Sequence, residues 1–142
     1  MARDKKSRLL KFLQQDVYVR VGRSETHGIG LFAIRDIPKG ANPFKSLLKY
    51  DFIGLDSSEL GAIPEQVQKM VHDYCSQENG KLYVPSVGFN PVHLLHFINH
   101  SNTPNVKAVG DGTKFIAVRE IKKGEELYSD YSTYDEKSRK KI

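Results

Sequence analysis

The chain has 142 residues, with 22 lysine and arginine residues against 17 aspartate and glutamate residues, and a formal net charge of +5. This length suits one domain with one hydrophobic core, and the absence of a run of about 18 apolar residues predicts no membrane span. The single cysteine, Cys75, excludes an internal disulfide and a zinc site built from several thiolates. The start of the chain lacks the apolar segment of a secretory signal, so we expect a reducing, intracellular setting.

The hydrophobic patterns predict many short strands and few helices. Alternating and β-branched runs mark strands, whereas apolar spacings of three and four mark helices. The predicted strands are residues 17–21, 31–34, 82–84, 106–109, 114–118 and 127–129, with weaker strand character over 46–52. The predicted helices are residues 5–15, about 64–78 and one turn at 92–97. The predicted fold class is therefore β-rich with minor α.

The main helix begins at Pro64, a residue suited to the first helical turn, and we expect it to end before Asn79 and Gly80. Its apolar residues recur at helical spacing: Val67, Met70, Val71, Tyr74 and Cys75. Further along, Gly110-Asp111-Gly112 separates two predicted strands and predicts a hairpin turn.

Positive charge is concentrated at the two ends of the chain. Residues 1–11 hold five basic side chains and one acidic side chain, whereas residues 12–131 are close to neutral. We therefore divide the chain into a basic extension (1–16), a body (17–135) and a basic tail (136–142). Such ends are most often solvated surface, but they could also make weak contact with nucleic acid or an acidic partner.

Two segments of the chain have nearly the same sequence pattern. Residues 33–40 and 117–124 match in residue type at seven of eight positions. Each has a strand end, an apolar anchor at Ile37 or Ile121, and a glycine turn. Two copies do not make a solenoid, so we predict two similar strand–turn–strand units.

The glycine pair Gly28 and Gly30, with Ala33, fits the G-x-G-x-x-A pattern of dinucleotide sites. That site needs a helix directly after the glycines, whereas here a strand continues until a turn at residues 38–40. We therefore reject a dinucleotide site. A tight turn that lets the backbone approach a ligand and a plain hairpin turn both stay open from this motif alone.

Three histidines, His93, His96 and His100, have spacings that would form a metal site on one helix. The residues around His100 favour the end of a helix, so only two of the histidines would face together, and we predict no metal site. Cys75 lies on the apolar face of the main helix, which predicts a buried side chain rather than a nucleophile. No nucleophile elbow or phosphate-binding loop supports a hydrolase or a phosphoryl transferase.

The carboxy-terminal half carries two motifs that occur together in one family. The first is HFINHSNTPN at residues 96–105, and the second is GEEL at residues 124–127 followed by Asp130-Tyr131. With HGIGLFA at residues 27–33, they resemble the signature motifs of SET-domain protein lysine methyltransferases. The resemblance covers residues 17–135. It implies a β-clip type fold of several small sheets, with one main helix and a last strand that passes through a loop as a pseudoknot.

The resemblance implies a site for S-adenosylmethionine and a catalytic tyrosine, Tyr131. The cofactor-binding residues that it implies are His27, Gly28, Ile29, Gly30, Asn99, His100 and Tyr134. Three further tyrosines are candidate substrate-binding residues: Tyr50, Tyr83 and Tyr128. The chain departs from the family pattern because it lacks the cysteine cluster of a zinc-bound tail, and because His96 stands where an arginine is frequent.

The implied function is transfer of methyl groups to the side-chain amine of lysine in a protein substrate, either a histone or another basic protein. Pairing of two copies could complete the substrate groove of so small a domain. Two alternatives stay open. One is a SET-like fold without catalysis that binds peptides, and the other is a basic β domain that binds nucleic acid through its ends.

Overall fold

A computed structural model of the chain describes residues 2–109 and 114–139. Its helices are α1 (Ala2–Gln15), α2 (Ser57–Leu60), α3 (Glu65–Tyr74) and α4 (Glu136–Arg139). Its strands are β1 (Val19–Arg23), β2 (Ile29–Ala33), β3 (Phe52–Leu55), β4 (Gln77–Glu78), β5 (Lys81–Pro85), β6 (Asn99–His100), β7 (Val106–Val109), β8 (Lys114–Ala117) and β9 (Glu126–Ser129). Short 3₁₀ turns lie at Leu94–Phe97 and Tyr131–Thr133.

The described strands form three small sheets. The largest has the order β1-β2-β9-β6, the second has the order β3-β5-β4, and the third is the pair β7-β8. The main core contains aliphatic side chains with no exposed surface: Leu31, Ile37, Val106, Ile121 and Leu127. The prediction of a β-rich fold with minor α is confirmed.

The two segments of similar sequence pair with each other. Ile37 and Ile121 form an antiparallel bridge, with their amides donating to each other's carbonyls at 2.7 and 2.9 Å. The glycine that ends each segment donates to the alanine that begins the other, Gly40 to Ala117 and Gly124 to Ala33, both at 2.8 Å. Both glycines have φ near +90°, a conformation that L side chains rarely adopt. The predicted strand–turn–strand units are therefore two halves of one reciprocal contact.

The main helix ends earlier than predicted. It stops at Tyr74, and Cys75 is already extended. Asn79 and Gly80 do not end the helix but form the two-residue turn between β4 and β5, where both have positive φ. That conformation is the one a type I′ hairpin turn requires. The prediction that Asn79 and Gly80 end the helix is therefore wrong, because an Asn-Gly pair favours a two-residue hairpin turn more strongly than a helix end.

The remaining differences concern a predicted strand, an unpredicted helix and two segments outside the described residues. Strand character predicted over 46–52 appears instead in β3, and the short helix α2 was not foreseen. A capping box explains α2, since the Asp56 carboxylate accepts from the Glu59 amide at 2.9 Å and the Glu59 side chain accepts from the Asp56 amide. The predicted turn at residues 110–112 and the last residues of the basic tail lie outside the described ranges.

The amino-terminal helix forms as predicted, but its leucines are exposed, whereas Phe12 is partly buried. Leu9, Leu10 and Leu13 of α1 are each about half exposed, at 46%, 50% and 55%. The carbonyls of Gln14 and Gln15 at the end of α1 accept from the Arg35 guanidinium. The helix is thus tied to the body mainly at its carboxyl end.

Candidate active site

The last strand lies between β2 and the segment that begins at β6. Asn99 and His100 pair in parallel with Tyr128 and Ser129 of β9, and the Ser101 amide donates to the Ser129 carbonyl at 3.0 Å. Segment 98–105 therefore wraps around β9. This arrangement is the expected pseudoknot, in which the last strand passes through a loop.

Asn105 closes this wrap from the other end of the segment. Its side-chain amide donates to the Glu126 carbonyl at 2.8 Å, and its Oδ1 accepts from the Tyr128 amide at 2.8 Å. The residue is only 4% exposed. Because the side chain satisfies one carbonyl and one amide of a strand, it replaces a backbone partner that the parallel pairing cannot supply.

Tyr131 is held by the same segment. Its backbone amide donates to His100 Nδ1 at 3.0 Å, and its phenol donates to the Ile98 carbonyl. Since His100 Nδ1 accepts, Nε2 carries the proton and donates to Asn102 Oδ1 at 3.1 Å. The Asp130 carboxylate accepts from the Ser132 amide at 3.0 Å and so caps the 3₁₀ turn that contains Tyr131. Residues of the first carboxy-terminal motif therefore bond to both the backbone and the phenol of Tyr131, which belongs to the second motif.

A second group of hydrogen bonds connects Asn99 to the glycine turn. The Asn99 side-chain amide donates to the carbonyls of Ile29 and His27 at 3.0 and 3.3 Å, and to the Glu126 carboxylate at 2.9 Å. The other oxygen of Glu126 accepts from the Ser24 hydroxyl at 2.9 Å and from the Tyr128 hydroxyl at 2.8 Å. We call Ser24, Asn99, Glu126 and Tyr128 the turn network.

The two glycines of the turn serve different purposes. Gly28 has φ +56, and no described atom lies within 4 Å of an added Cβ, so its face of the turn is open. At Gly30 an added Cβ would lie 2.2 Å from the Glu126 carboxylate and 3.0 Å from the Asn99 amide. Gly28 is therefore required by backbone conformation, and Gly30 by the close approach of the turn network.

On the other side of β9 lies a cavity of about 130 Å³ that we call the aromatic cavity. The rings that line it belong to Phe52, Tyr74, Tyr83, His96, Phe115, Tyr131 and Tyr134. Burial raises the pKa of the Tyr131 and Tyr134 phenols, so both stay protonated at neutral pH. The Tyr134 hydroxyl lies 2.7 Å from the buried Ser129 hydroxyl.

His96 is part of the wall of the aromatic cavity, and His93 lies next to it against Tyr50. His96 Nδ1 lies 3.1 Å from the Tyr74 carbonyl, which can only accept, so Nε2 accepts from the Tyr50 hydroxyl at 2.7 Å. Burial lowers the pKa of both His93 and His96. Among the described residues, no group of three or more side chains is arranged to hold a metal ion.

The carboxy-terminal segment closes the aromatic cavity. Lys137 Nζ donates to the carbonyls of His72 and Cys75 at the end of α3, at 2.7 and 2.9 Å. Asp135 accepts from the Gln77 amide at 3.0 Å. A cation at the carboxyl end of a helix satisfies carbonyls that lack helical partners. The cavity therefore depends on contacts between residues far apart in the sequence.

The structure brings most of the predicted site residues into two groups. His27, Gly28, Ile29 and Gly30 form the glycine turn and Asn99 bonds to it, whereas His100 contacts Tyr131. Tyr83 and Tyr131 share the aromatic cavity, and Tyr134, predicted beside the cofactor, lines this cavity as well. Tyr50 lies next to it through His96. Tyr128, predicted beside the substrate, does not line the cavity but belongs to the turn network.

Sequence reasoning missed Glu126, Ser24 and the structural role of Asn105. Glu126 and Tyr128 are two residues apart in a strand, so they share one face, and this spacing could have predicted that they act together. Ser24 carried no comparable signal, because its partner lies 102 residues away.

The SET domain family model matches residues 28–132, which include Gly28 and Gly30, both carboxy-terminal motifs and Tyr131. The chain belongs to the SET domain family. Members of this family are generally protein lysine methyltransferases that use S-adenosylmethionine.

Among solved structures, this SET domain resembles the crystal structure of a Plasmodium falciparum protein described as a putative histone methyltransferase. The two are 18% identical with a TM-score of 0.52, and the alignment covers 81% of this chain and 93% of the other. At that identity the likeness shows the fold. A search of curated proteins found no match, and no helix among the described residues has the length and apolar character needed to cross a membrane.

Proposed function

We propose that this SET-domain protein transfers methyl groups from S-adenosylmethionine to the side-chain amine of lysine in a protein substrate. The observation that carries the proposal is the position of Tyr131. Its phenol lies in the aromatic cavity and donates to the Ile98 carbonyl. The next residue, Asn99, holds the glycine turn. One short segment therefore connects a ligand-binding turn to a cavity of side-chain size.

The residues of the glycine turn fit the proposed cofactor. The open face at Gly28 gives a ligand access to the backbone, and the adjacent carbonyls and carboxylate suit a cationic amino acid group. We assign cofactor binding to His27, Gly28, Ile29, Gly30, Asn99 and His100. When bound, the cofactor supplies a methyl group on a positively charged sulfur.

The aromatic cavity suits the amine that receives the methyl group. A free lysine has a pKa of about 10.4, and it must lose its proton before it can attack. Removal from water disfavours the charged ammonium, and a nearby positive charge repels it. The Tyr131 phenol and the Ile98 carbonyl then orient the neutral amine, and Tyr83 and Tyr134 form the walls. Positioning and fixed dipoles account for the rate without a strong base.

The test is incubation with isotopically labelled cofactor and a panel of histones, other basic proteins and acidic proteins. We expect label on a lysine that mass spectrometry can locate, and loss of label with the Tyr131→Phe variant. If no protein is labelled while calorimetry still detects cofactor binding to the folded protein, the transfer reaction is rejected.

Binding measurements on the same protein distinguish the alternative functions. Peptide binding without cofactor binding would favour a SET-like module without catalysis. Strongly salt-dependent binding of DNA or RNA would support contact through the basic ends. Pairing of two copies stays a prediction, which light scattering of the active protein tests.

A further inference from the structure

A larger groove adjoins the aromatic cavity. It has a volume of about 730 Å³, and we call it the basic groove after three of its lining residues, Lys45, Lys49 and Lys114. It shares the walls Phe52, Leu95 and Phe115 with the aromatic cavity. A peptide whose lysine enters the aromatic cavity would therefore carry its neighbouring residues across the basic groove.

The charges of the basic groove are predominantly positive. Lys45 is 63% exposed in its side chain, and its only ion pair among the described residues is a 3.8 Å contact with Asp16. The ion pairs within the described ranges include neither Lys49 nor Lys114. The one carboxylate lining the groove, Asp51, accepts from the Ser86 hydroxyl. The groove therefore offers an excess of cations to an anionic partner.

The aromatic rings beneath the lysines favour a peptide over a nucleic acid. Phe44 and Phe115 are 7% and 3% exposed and pack edge to face at 5.8 Å. Tyr50 packs edge to face on Phe52 at 5.3 Å, and its hydroxyl is bonded to His96. Single-stranded nucleic acids bind by stacking bases on exposed ring faces, and two of these four rings are buried.

At the rim, Leu48 lines the groove and is 68% exposed. An apolar side chain beside exposed lysines suits a peptide that combines acidic residues with an apolar one. We propose that the basic groove binds aspartate and glutamate residues that flank the target lysine. The inference rests on the proposed function and narrows it, because the substrates would be lysines in acidic surroundings rather than in the basic surroundings of a histone tail.

The test measures binding before chemistry. Three fluorescent peptides carry the same central lysine with acidic, neutral or basic flanks, and anisotropy is measured on the full chain without cofactor. We expect the acidic peptide to bind about tenfold more tightly than the neutral one, and the basic peptide more weakly. The preference should fall at high salt, because these charges are exposed.

Two triple variants that remove the same charge test whether the preference for acidic flanks arises in the basic groove. The triple variant Lys45→Gln, Lys49→Gln, Lys114→Gln should lose the preference for acidic flanks. The control Lys69→Gln, Lys107→Gln, Lys123→Gln removes the same charge from exposed lysines outside both cavities and should keep it. Equal binding of the three peptides, loss of the preference in the control, or tighter binding of single-stranded RNA than of the acidic peptide would overturn the proposal.

Methyl transfer to the same three peptides separates this inference from the proposed function. A charge preference in binding that the triple variant removes supports the groove even if no peptide is methylated, and the transfer reaction alone is then rejected. If peptides are methylated at equal kcat/KM whatever their flanks, the transfer reaction stands and the role of the basic groove is rejected.

Discussion

The turn network and the aromatic cavity lie on opposite sides of one strand and are built in different ways. In the turn network, Glu126 accepts from three side chains, and Asn99 donates to two carbonyls of the turn. In the aromatic cavity, rings form about half of the lining, beside charged side chains that include Asp73, Asp135 and Lys137. Residues 98–100 contact both regions: Asn99 bonds to the glycine turn, and Ile98 and His100 bond to Tyr131.

The difference shows how one segment can support two tasks. Charged and amide groups with several partners fix the course of the backbone, which suits the proposed cofactor-binding turn. Burial keeps phenols and imidazoles neutral, which suits the proposed site for an uncharged amine. The predictions below test this division, because a change on one side should affect a different measurement from a change on the other.

The largest effect is expected from the loss of a phenol in the aromatic cavity. We expect Tyr131→Phe to reduce kcat for methyl transfer about 100-fold, because the amine loses its orienting oxygen. Cofactor affinity by calorimetry should change less than about twofold. The matched variant Tyr128→Phe removes a hydroxyl from the turn network and should weaken cofactor binding while kcat changes little. The division fails if both variants affect the same parameter.

Next in size is the cost of removing the side chain that closes the wrap. Asn105→Ala leaves the Tyr128 amide and the Glu126 carbonyl without their partner in a buried position. We expect a loss of about 2 kcal/mol in the free energy of unfolding, measured by urea denaturation. Asn102→Ala changes the same residue type at an exposed position and should cost less than about 0.5 kcal/mol. Equal losses would show that the wrap is not held by Asn105.

A smaller effect is expected from the loss of the Glu126 carboxylate, with the adjacent Glu125 as the control. Glu126→Ala removes the acceptor shared by Ser24, Asn99 and Tyr128, and we expect cofactor affinity to fall about tenfold, equivalent to about 1.4 kcal/mol. In the protein without cofactor, the NMR signals of the Asn99 side-chain amide should shift. Glu125→Ala removes a surface pair with Arg119 and the acceptor of the Lys122 amide, neither of which belongs to the turn network, and should leave both measurements unchanged. Unchanged Asn99 signals in Glu126→Ala would contradict the turn network.

The smallest effect concerns pH and the histidines beside the aromatic cavity. Unfolded imidazoles titrate near pH 6.5, and burial lowers the pKa of His93 and His96 in the folded chain. As pH falls through 6.5, the unfolded chain binds protons that the folded chain does not, so stability is full above pH 6.5 and decreases below it. The His96 ring is bonded to the Tyr50 hydroxyl and the Tyr74 carbonyl, and the His93 ring accepts from the Leu95 amide and packs against Phe44 and Tyr50.

Urea denaturation at pH 7.5, 6.5 and 5.5 measures this dependence, with His96→Gln expected to reduce it. His72→Gln changes an exposed histidine on α3 and should leave the slope as it is. Hydrogen bonds from Ser132 lower the pKa of Asp130. Carboxyl groups of this kind change the stability only at a more acidic pH than the histidines do. A slope that is the same in all three proteins would contradict the role of His96.

The sequence predicted several local features but not which face of a strand each side chain occupies. The glycine turn, the 3₁₀ turn after His93 and the strands were visible because spacing and turn residues act within a few positions. Tyr128 was expected near the substrate, but its position in β9 turns it to the face of Glu126. Which face of a strand meets which neighbour depends on register, and no local pattern gives the register of β9 between β2 and β6.

By itself, the sequence determined the β-rich class, the repeated segment, the glycine turn and the two motifs of the SET domain family. These follow from residue type and short spacing, which act on the backbone close to each residue. Only the tertiary structure decided that the two repeated segments pair with each other, that Glu126 joins the glycine turn to Asn99, and that the carboxy-terminal segment closes the aromatic cavity. Each of these contacts joins residues far apart in the chain, so it forms only when burial of the shared core offsets the entropy of closing a long loop.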